Sequence, residues 1–147
     1  MERLLALDIS SSTIGWSVLE RDKTSITLIN YGHIKPPTKA KAAKAGYGYS
    51  YRLHEISKAI IKLVGSTQPD TVIVEDYAKK FSSGRSSANT IIVLATVNEV
   101  VSLVCFQLVG KEVTRIPVTR LRSVVKKQHL VDVKDKDDAM KLCKTLF

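Results

Sequence analysis

The chain opens with three stretches of strand-like pattern, at residues 3–9, 14–20 and 25–34. They are short, rich in β-branched or alternating apolar residues, and separated by polar turns, as in an antiparallel meander. Residues 35–48 hold two prolines, two glycines and many small or basic residues. This composition predicts an exposed, mobile loop after the third strand.

The second half alternates helices and strands. Apolar residues recur at helical spacing over 49–64, and the sequence GSTQP predicts the end of that helix. A strand at 71–75 and a long apolar helix at about 87–109 follow. Polar residues interrupt the apolar helix, so we expect a buried helix rather than a membrane span. A short strand at 112–116, a helix or turn from Pro117 and an amphipathic helix at 135–147 complete the order βββαβαβα. This order predicts one α/β domain over residues 1–147, a mixed sheet with helices on its faces.

Charge is segregated along the chain, which carries a net +9. Between Lys23 and His54 there is no Asp or Glu, but there are basic residues and several tyrosines. Such a surface favours nucleic-acid binding, although a basic surface can also serve solubility alone. Neither Cys105 nor Cys143 has zinc-site spacing, and no export signal is recognisable. We therefore expect a soluble cytoplasmic protein without membrane association.

Two acidic residues end apolar strands. Asp8 follows LLAL and Glu75 follows TVIV. A carboxylate in a buried strand needs a partner because desolvation of its charge costs several kcal/mol. If the two strands are neighbours, both carboxylates emerge at one edge of the sheet and can share Mg²⁺, which prefers oxygen ligands. The alternative is that Asp8 caps a turn and Glu75 pairs with a surface lysine.

A resemblance to a known family rests on several motifs in order. Asp8, Ser10, Gly15, Trp16 and Val18 form the pattern DxSxxxxGWxV, which resembles the first motif of RuvC-type Holliday junction resolvases. The resemblance continues through nearly the whole chain. The further matching motifs are Arg52-Leu53, VIVE ending at Glu75, Val97-Asn98-Glu99-Val100-Val101, and Pro117 followed by Leu121-Arg122.

The resemblance implies an RNase H-like fold, with a five-stranded mixed sheet made of a three-strand meander and two parallel strands. It implies a homodimer that nicks four-way or other branched DNA with Mg²⁺, or with Mn²⁺ as a substitute. Asp8 and Glu75 would be catalytic metal ligands. The residues that the resemblance implies for DNA binding are Ser10, Arg52, Tyr77, Lys79, Lys80, Phe81, Arg85 and Arg122.

The C-terminal segment fits the family in two registers. In the first, Asp135 and Asp138 of the string DKDDA match the family's last acidic motif and complete the metal site. In the second, Lys136 is a catalytic or DNA-contacting lysine, and the family's last acids and last helix are missing from this chain. We favour the second register because it accounts for the end of the chain at Phe147, and we then expect weak metal binding and poor cleavage.

Three other readings stay open. A degenerate domain would bind branched DNA without cutting it. An ATP-binding lobe of the actin and sugar-kinase type would also begin with a strand, an Asp and a hydroxyl-rich turn, but such proteins close two lobes over a nucleotide. An RNase H enzyme would take its glutamate from the first helix, where only Glu55 is available. Glu75, on a strand, favours the resolvase branch.

Overall fold

A computed structural model describes residues 1–10, 12–76 and 88–129, together with Asp138 and Lys141. The predicted helix at 135–147 therefore lies largely outside the described residues, although Asp138 and Lys141 are both helical. That one domain covers all of 1–147 stays a prediction. The described elements, in chain order, are β1 (Glu2–Ile9), β2 (Ile14–Arg21), β3 (Ile26–Ile34), α1 (Lys39–Lys44), α2 (Tyr49–Thr67), β4 (Thr71–Asp76), α3 (Ala88–Val109), β5 (Thr114–Pro117) and α4 (Val118–His129).

The strands form one mixed sheet in the order β3-β2-β1-β4-β5. β1, β2 and β3 pair antiparallel as a meander, whereas β4 is parallel to β1 and β5 is parallel to β4. Both the predicted meander and the predicted pair of parallel strands are confirmed. Since strands β1 and β4 run in the same direction, their carboxyl ends meet at one edge of the sheet.

The hydrophobic core lies on one face of this sheet. Alternate residues of β1, β2 and β4 point into it because side chains of a strand alternate between the two faces. Helices α2 and α3 cover that face with apolar residues at helical spacing. The buried core residues include Leu5, Leu7, Ile9, Ile14, Val18, Ile56, Ile60, Val72, Val74, Val97, Val101 and Cys105. The residues between them on each strand belong to the opposite face.

The segment after β3 differs from the predicted loop because it contains the helix α1. The Thr38 side chain accepts a hydrogen bond from the backbone N–H of Lys41 (3.1 Å), which caps the first turn. The alanines favour helix, and Ala42 is buried. The prediction of an open loop over 35–48 was wrong at these residues, because the Pro and Gly signals on either side conceal a helix of six residues.

Helix α3 is buried on one face only. Val97, Val101 and Cys105 lie in the core, but Ile92, Leu103 and Phe106 are 63%, 56% and 46% exposed. Among the described residues, α3 is long and apolar enough by length and composition to cross a membrane, with a mean hydropathy of 2.0 in its most apolar window. Its inner face packs on the sheet like that of any core helix. The prediction of a buried helix was therefore wrong for its outer face.

Candidate metal centre

Asp8 and Glu75 occupy equivalent positions on adjacent parallel strands. The register pairs Leu7 of β1 with Val74 of β4, so the next residue on each strand is one of the two acids. Leu7 and Val74 are buried on the core face. Because side chains alternate along a strand, Asp8 and Glu75 share the opposite face. The sheet register thus brings the two carboxylates to one edge of the sheet, as expected from the sequence.

Asp8 is exposed rather than buried. On its other side it pairs with Gly15 of β2, which presents no side chain to cover the carboxylate. A Cβ at Gly15 would lie 3.7 Å from the Cβ of Asp8. The argument that Asp8 needs a partner because it is buried was therefore wrong, since the outer face of the strand is open at this point. An accessible carboxylate is instead what a ligand-binding position requires.

Glu75 is less accessible, and its electrostatic surroundings connect it to two other side chains. Burial raises the pKa of Glu75, the negative charge of Asp8 raises it further, and the positive charge of Arg122 lowers it. Arg122 extends from α4, which follows β5 directly. The structure thus brings Asp8, Glu75 and Arg122 together from three elements that are distant in sequence. A site with two like charges near each other favours binding of a cation.

Most other described carboxylates are engaged in structural contacts. Glu20 bonds to Arg3 (2.5 Å), Glu99 forms a two-pronged ion pair with Arg115 (2.6 and 2.8 Å), and Glu55 bonds to Lys58 (3.2 Å). Glu55, the candidate that an RNase H arrangement would use, is thus paired along its own helix. In the part of the chain that the structure describes, neither the Asp8 nor the Glu75 carboxylate has a hydrogen bond or ion pair. Their oxygen atoms are available to a ligand.

A buried asparagine supports the strand end that carries Glu75. Asn98 of α3 is 1% exposed, and its Nδ2 donates to the backbone oxygen of Glu75 at 3.4 Å. Its Oδ1 has no hydrogen bond partner among the described residues. A buried amide is costly unless it is hydrogen-bonded, so its presence on an apolar helix requires a reason. The contact with β4 ties α3 to the strand end that carries Glu75.

The donor set fits a hard divalent cation. Two carboxylates on one face supply the oxygen ligands that Mg²⁺ prefers, and Mg²⁺ usually retains several waters. Among the residues described, no group of three or more Asp, Glu, His or Cys side chains is arranged to hold a metal ion. Asp138, which is helical and partly buried, is therefore not joined to Asp8 and Glu75 in such a group. Asp135 and Lys136 lie outside the described residues, and the roles of all three stay predictions.

The predicted DNA-binding residues fall in three places. Ser10 closes the turn between β1 and β2, where its hydroxyl donates to the Thr13 carbonyl (2.7 Å) and accepts from the Thr13 N–H (3.0 Å). Arg52 is only 7% exposed, and its Nε donates to the Pro37 carbonyl at 2.6 Å. Arg122 is exposed beside Glu75. Tyr77, Lys79, Lys80, Phe81 and Arg85 lie outside the described residues. DNA contact stays a prediction for all of these residues, and for Arg52 the burial favours a structural role.

Sequence reasoning missed two features around the site. Gly15 was recognised only as part of a motif, although a glycine opposite Asp8 leaves the carboxylate accessible. Asn98 was also quoted without a role, although an amide on an apolar helix is itself a signal of a buried polar contact. Both features depend on pairing between distant segments, which local periodicity does not reveal.

Comparisons with known proteins concern the sequence and the fold of the chain. No family model matches the chain. A curated relative, the crossover junction endodeoxyribonuclease RuvC of Chloroflexus aggregans, is 31% identical over 74 residues, which is 50% of this chain and 41% of the relative. The match thus spans less than half the length of that curated relative.

Solved structures resemble the fold over most of the chain. Thermus thermophilus RuvC superposes with a TM-score of 0.68 over 98% of this chain and 79% of its own, at 14% identity. The same protein in complex with a Holliday junction substrate gives 0.65, over 85% of this chain and 70% of its own, also at 14% identity. The yeast mitochondrial Holliday junction resolvase gives 0.62 over 99% of this chain and 64% of its own, at 8% identity. The chain has a RuvC-like, RNase H-like fold, and the resemblance expected from its sequence is confirmed.

Proposed function

We propose that this RuvC-like chain is a divalent-metal-dependent endonuclease that cuts four-way or other branched DNA junctions. The observation that carries the proposal is the pairing of Asp8 with Glu75 on one open face of the sheet. Neither carboxylate has a hydrogen bond or ion pair to another described side chain, and the fold is shared with a RuvC whose structure was solved in complex with a Holliday junction substrate. The curated RuvC relative is named a crossover junction endodeoxyribonuclease.

The acidic and the basic residues of the chain would have different roles. Asp8 and Glu75 would hold Mg²⁺, or Mn²⁺ in its place, with Asp135 and Asp138 as further candidates. A bound divalent ion supplies Lewis-acid catalysis of phosphodiester hydrolysis. Arg122, whose charge lowers the pKa of Glu75, would bind the phosphate at the cleavage point. Lys136 is a second candidate for this role.

Branched DNA is the substrate that the chain's charge and family likeness favour. The net charge of +9 gives phosphate binding that is independent of sequence and weakens with salt. Within the segment 77–87, we propose that Tyr77 or Phe81 stacks on unpaired bases at the crossover. Lys79, Lys80 and Arg85 would bind the phosphates around it.

A homodimer fits both the substrate and helix α3. A four-way junction offers two equivalent strands, so two copies related by a two-fold axis can make paired nicks. The outer face of α3 carries Ile92, Leu103 and Phe106, all exposed and on one side of the helix. An isologous contact between two copies of α3 would bury this apolar face. Leu103→Glu should convert a dimer to a monomer in light scattering, whereas Ile26→Glu, on the edge strand β3, should not. We further propose that the protein is cytoplasmic and that this dimer contact, rather than a membrane, covers α3.

The test is cleavage of a synthetic four-way junction with Mg²⁺, using linear duplex and an RNA/DNA hybrid as matched substrates. Paired, symmetric nicks in the junction alone support the proposal. Equal cutting of the RNA/DNA hybrid would assign the chain to RNase H activity instead. ATP hydrolysis without DNA cleavage would favour the kinase-like alternative.

One observation favours a second candidate, a domain that binds branched DNA without cutting it. In the described part of the chain, only two carboxylates meet at the site, and Asp138 does not complete a group of three. Junction binding that is unchanged by EDTA, with no nicks at any concentration of Mg²⁺ or Mn²⁺, would support this candidate. Nicking that requires either ion would reject it.

A further inference from the structure

Two tyrosines are stacked at the corner between α1 and α2. The ring centroids of Tyr47 and Tyr51 are 4.4 Å apart, and the ring planes differ by 17°. Tyr51 thus covers one side of the Tyr47 ring, while Tyr47 remains 55% exposed. An aromatic ring that is held by a stacking partner and still open to solvent is a platform on which another flat ring can stack.

The backbone fixes this platform before any ligand binds. Helix α1 ends in a Schellman motif, in which Gly46 adopts a φ of 78° and its N–H donates to the Ala43 carbonyl (2.9 Å). The Tyr47 N–H donates to the Ala42 carbonyl at 2.9 Å. A non-glycine residue at Gly46 would be strained at this positive φ. The backbone at Tyr47 is therefore ordered before a ligand binds, so binding requires little further loss of conformational entropy.

A small cleft lies beside the platform. It has a volume of about 230 Å³ and is lined by Lys39, Ala42, Tyr47, Tyr49 and Arg52, among others. Its walls are mainly alanine and tyrosine carbon, and its rim carries the positive charge of Lys39. Two of the lining side chains are held in place, because the Tyr49 hydroxyl donates to the Val93 carbonyl (3.4 Å) and the Arg52 Nε donates to the Pro37 carbonyl. The volume is below the roughly 300–1,000 Å³ of pockets that enclose whole small-molecule ligands, so it suits a single ring system.

The chain reaches α1 and the cleft from the edge of the sheet that carries the carboxylates. β3 ends at Ile34, which pairs with Ile14 at the start of β2. Ile14 in turn pairs with Ile9, the residue after Asp8. The chain therefore leaves β3 at the carboxylate edge, and Arg52 ties the next residues to the first turn of α2. β3 is two strands from β1, which is roughly 10 Å across the sheet.

The charge around the cleft selects an anionic partner. No acidic residue occurs between Lys23 and His54, whereas Lys39, Lys41 and Lys44 all belong to α1. A flat ring attached to a phosphate backbone satisfies both the apolar walls and the basic rim. That description fits one unpaired nucleotide of a DNA strand, since base stacking on aromatic side chains tolerates any sequence.

We propose that this cleft binds an unpaired base of single-stranded DNA at the branch point, an inference that rests on the proposed function. Tyr47 stacks on the base, the alanine and Tyr49 surface encloses its edge, and Lys39 binds the adjacent phosphate. The cleft would hold one strand where the branched DNA opens. Neither Asp8 nor Glu75 belongs to its lining.

The test compares two junctions, one fully paired and one with a short unpaired insertion that contains 2-aminopurine beside the crossover. Tyr47→Ala should weaken binding of the insertion junction by about tenfold and should relieve the quenching of 2-aminopurine, with little effect on the fully paired junction. Tyr47→Phe, which keeps the ring, should behave as wild type. Tyr31→Ala is the matched control because Tyr31 is 73% exposed in the same acid-free segment but lies on β3.

The outcomes separate this inference from the proposed function. If wild type cuts the paired junction but Tyr47→Ala binds the insertion junction as tightly as wild type, the cleft is not a base site. If wild type does not cut any junction, the inference can still be tested by comparing the binding of oligo(dT) to wild type and to Tyr47→Ala. Weaker binding by the variant would support the cleft as a base-binding site, and equal binding would overturn it. Lys39→Ala should reduce the slope of log K against log salt concentration by about one, as expected for the loss of one phosphate contact.

Discussion

Glu75 lies beside Asp8 because β4 runs parallel to β1 in a register that pairs Val74 with Leu7. This pairing places two carboxylates on one face, and the charge of Asp8 adds to burial in raising the pKa of Glu75. In a sheet, such a juxtaposition is fixed by backbone hydrogen bonds, so the chain maintains it without a ligand. The repulsion between the two carboxylates should lower the free energy of unfolding by a measurable amount, and a bound cation should offset this loss.

Divalent ions should stabilise the folded chain through these two residues. A ligand at 100 times its Kd adds about 2.7 kcal/mol, so Mg²⁺ or Mn²⁺ should raise Tm above its value in EDTA. Asp8→Asn and Glu75→Gln should each lose most of this shift in thermal unfolding. Glu55→Gln is the control, because its carboxylate pairs with Lys58 on α2. An equal shift in all the variants would mean that the ions bind elsewhere.

The metal-free protein should show the opposite dependence on pH from that of a salt-bridged acid. The folded state raises the pKa of Glu75 above its ordinary value of 4.5. Glu75 therefore binds its proton more tightly in the folded state than in the unfolded state. The stability that Glu75 contributes is present below pH 4.5 and is lost as the pH rises through the higher, folded pKa. In EDTA, Glu75→Gln should therefore resist urea better than wild type at pH 7, with the difference vanishing in acid. A variant less stable than wild type at pH 7 would contradict this.

Asn98 should matter to the site as well as to the core. Asn98→Ala removes a buried amide and its bond to the Glu75 carbonyl, with an expected loss of about 1–3 kcal/mol. Because β4 then loses support at Glu75, cleavage should fall even where the variant is fully folded. Ser102→Ala is the matched control, since Ser102 is buried one turn further along α3 and has no contact with Glu75 recorded among the described residues. Equal cleavage by the two folded variants would reduce Asn98 to a structural role.

Two glycines of the meander should respond differently to alanine. At Gly32 an added Cβ would lie 2.6 Å from Cζ2 of Trp16, so the indole ring must move. Gly32→Ala should cost about 1–3 kcal/mol and change the fluorescence of Trp16, the single tryptophan. At Gly15 the nearest atom would be 3.7 Å away, which is an ordinary contact. Gly15→Ala should therefore leave stability and fluorescence nearly unchanged in urea titrations, and an equal loss in both variants would refute this account of the packing.

The elements that could be predicted from sequence are those with strong local patterns. Alternation and β-branched runs marked all three strands of the meander, and apolar strands ending at Asp8 and Glu75 marked the carboxylate pair. The features that were missed depend on tertiary partners. Helix α1 is stabilised by the Thr38 cap and by the burial of Ala42. Arg52 has the charge of a DNA contact, but its Nε donates to Pro37, a partner that no periodicity reveals.

The most direct test of the central claim measures cleavage and binding of a four-way junction by the same preparations of wild type, Asp8→Asn and Glu75→Gln. If the two carboxylates hold the catalytic ion, each variant should cut at least about 100-fold more slowly and should bind the junction as tightly as wild type in fluorescence anisotropy. A variant that folds, binds and cuts at the wild-type rate would contradict the assignment of that residue, and undiminished cutting by both would remove the metal centre from this face of the sheet.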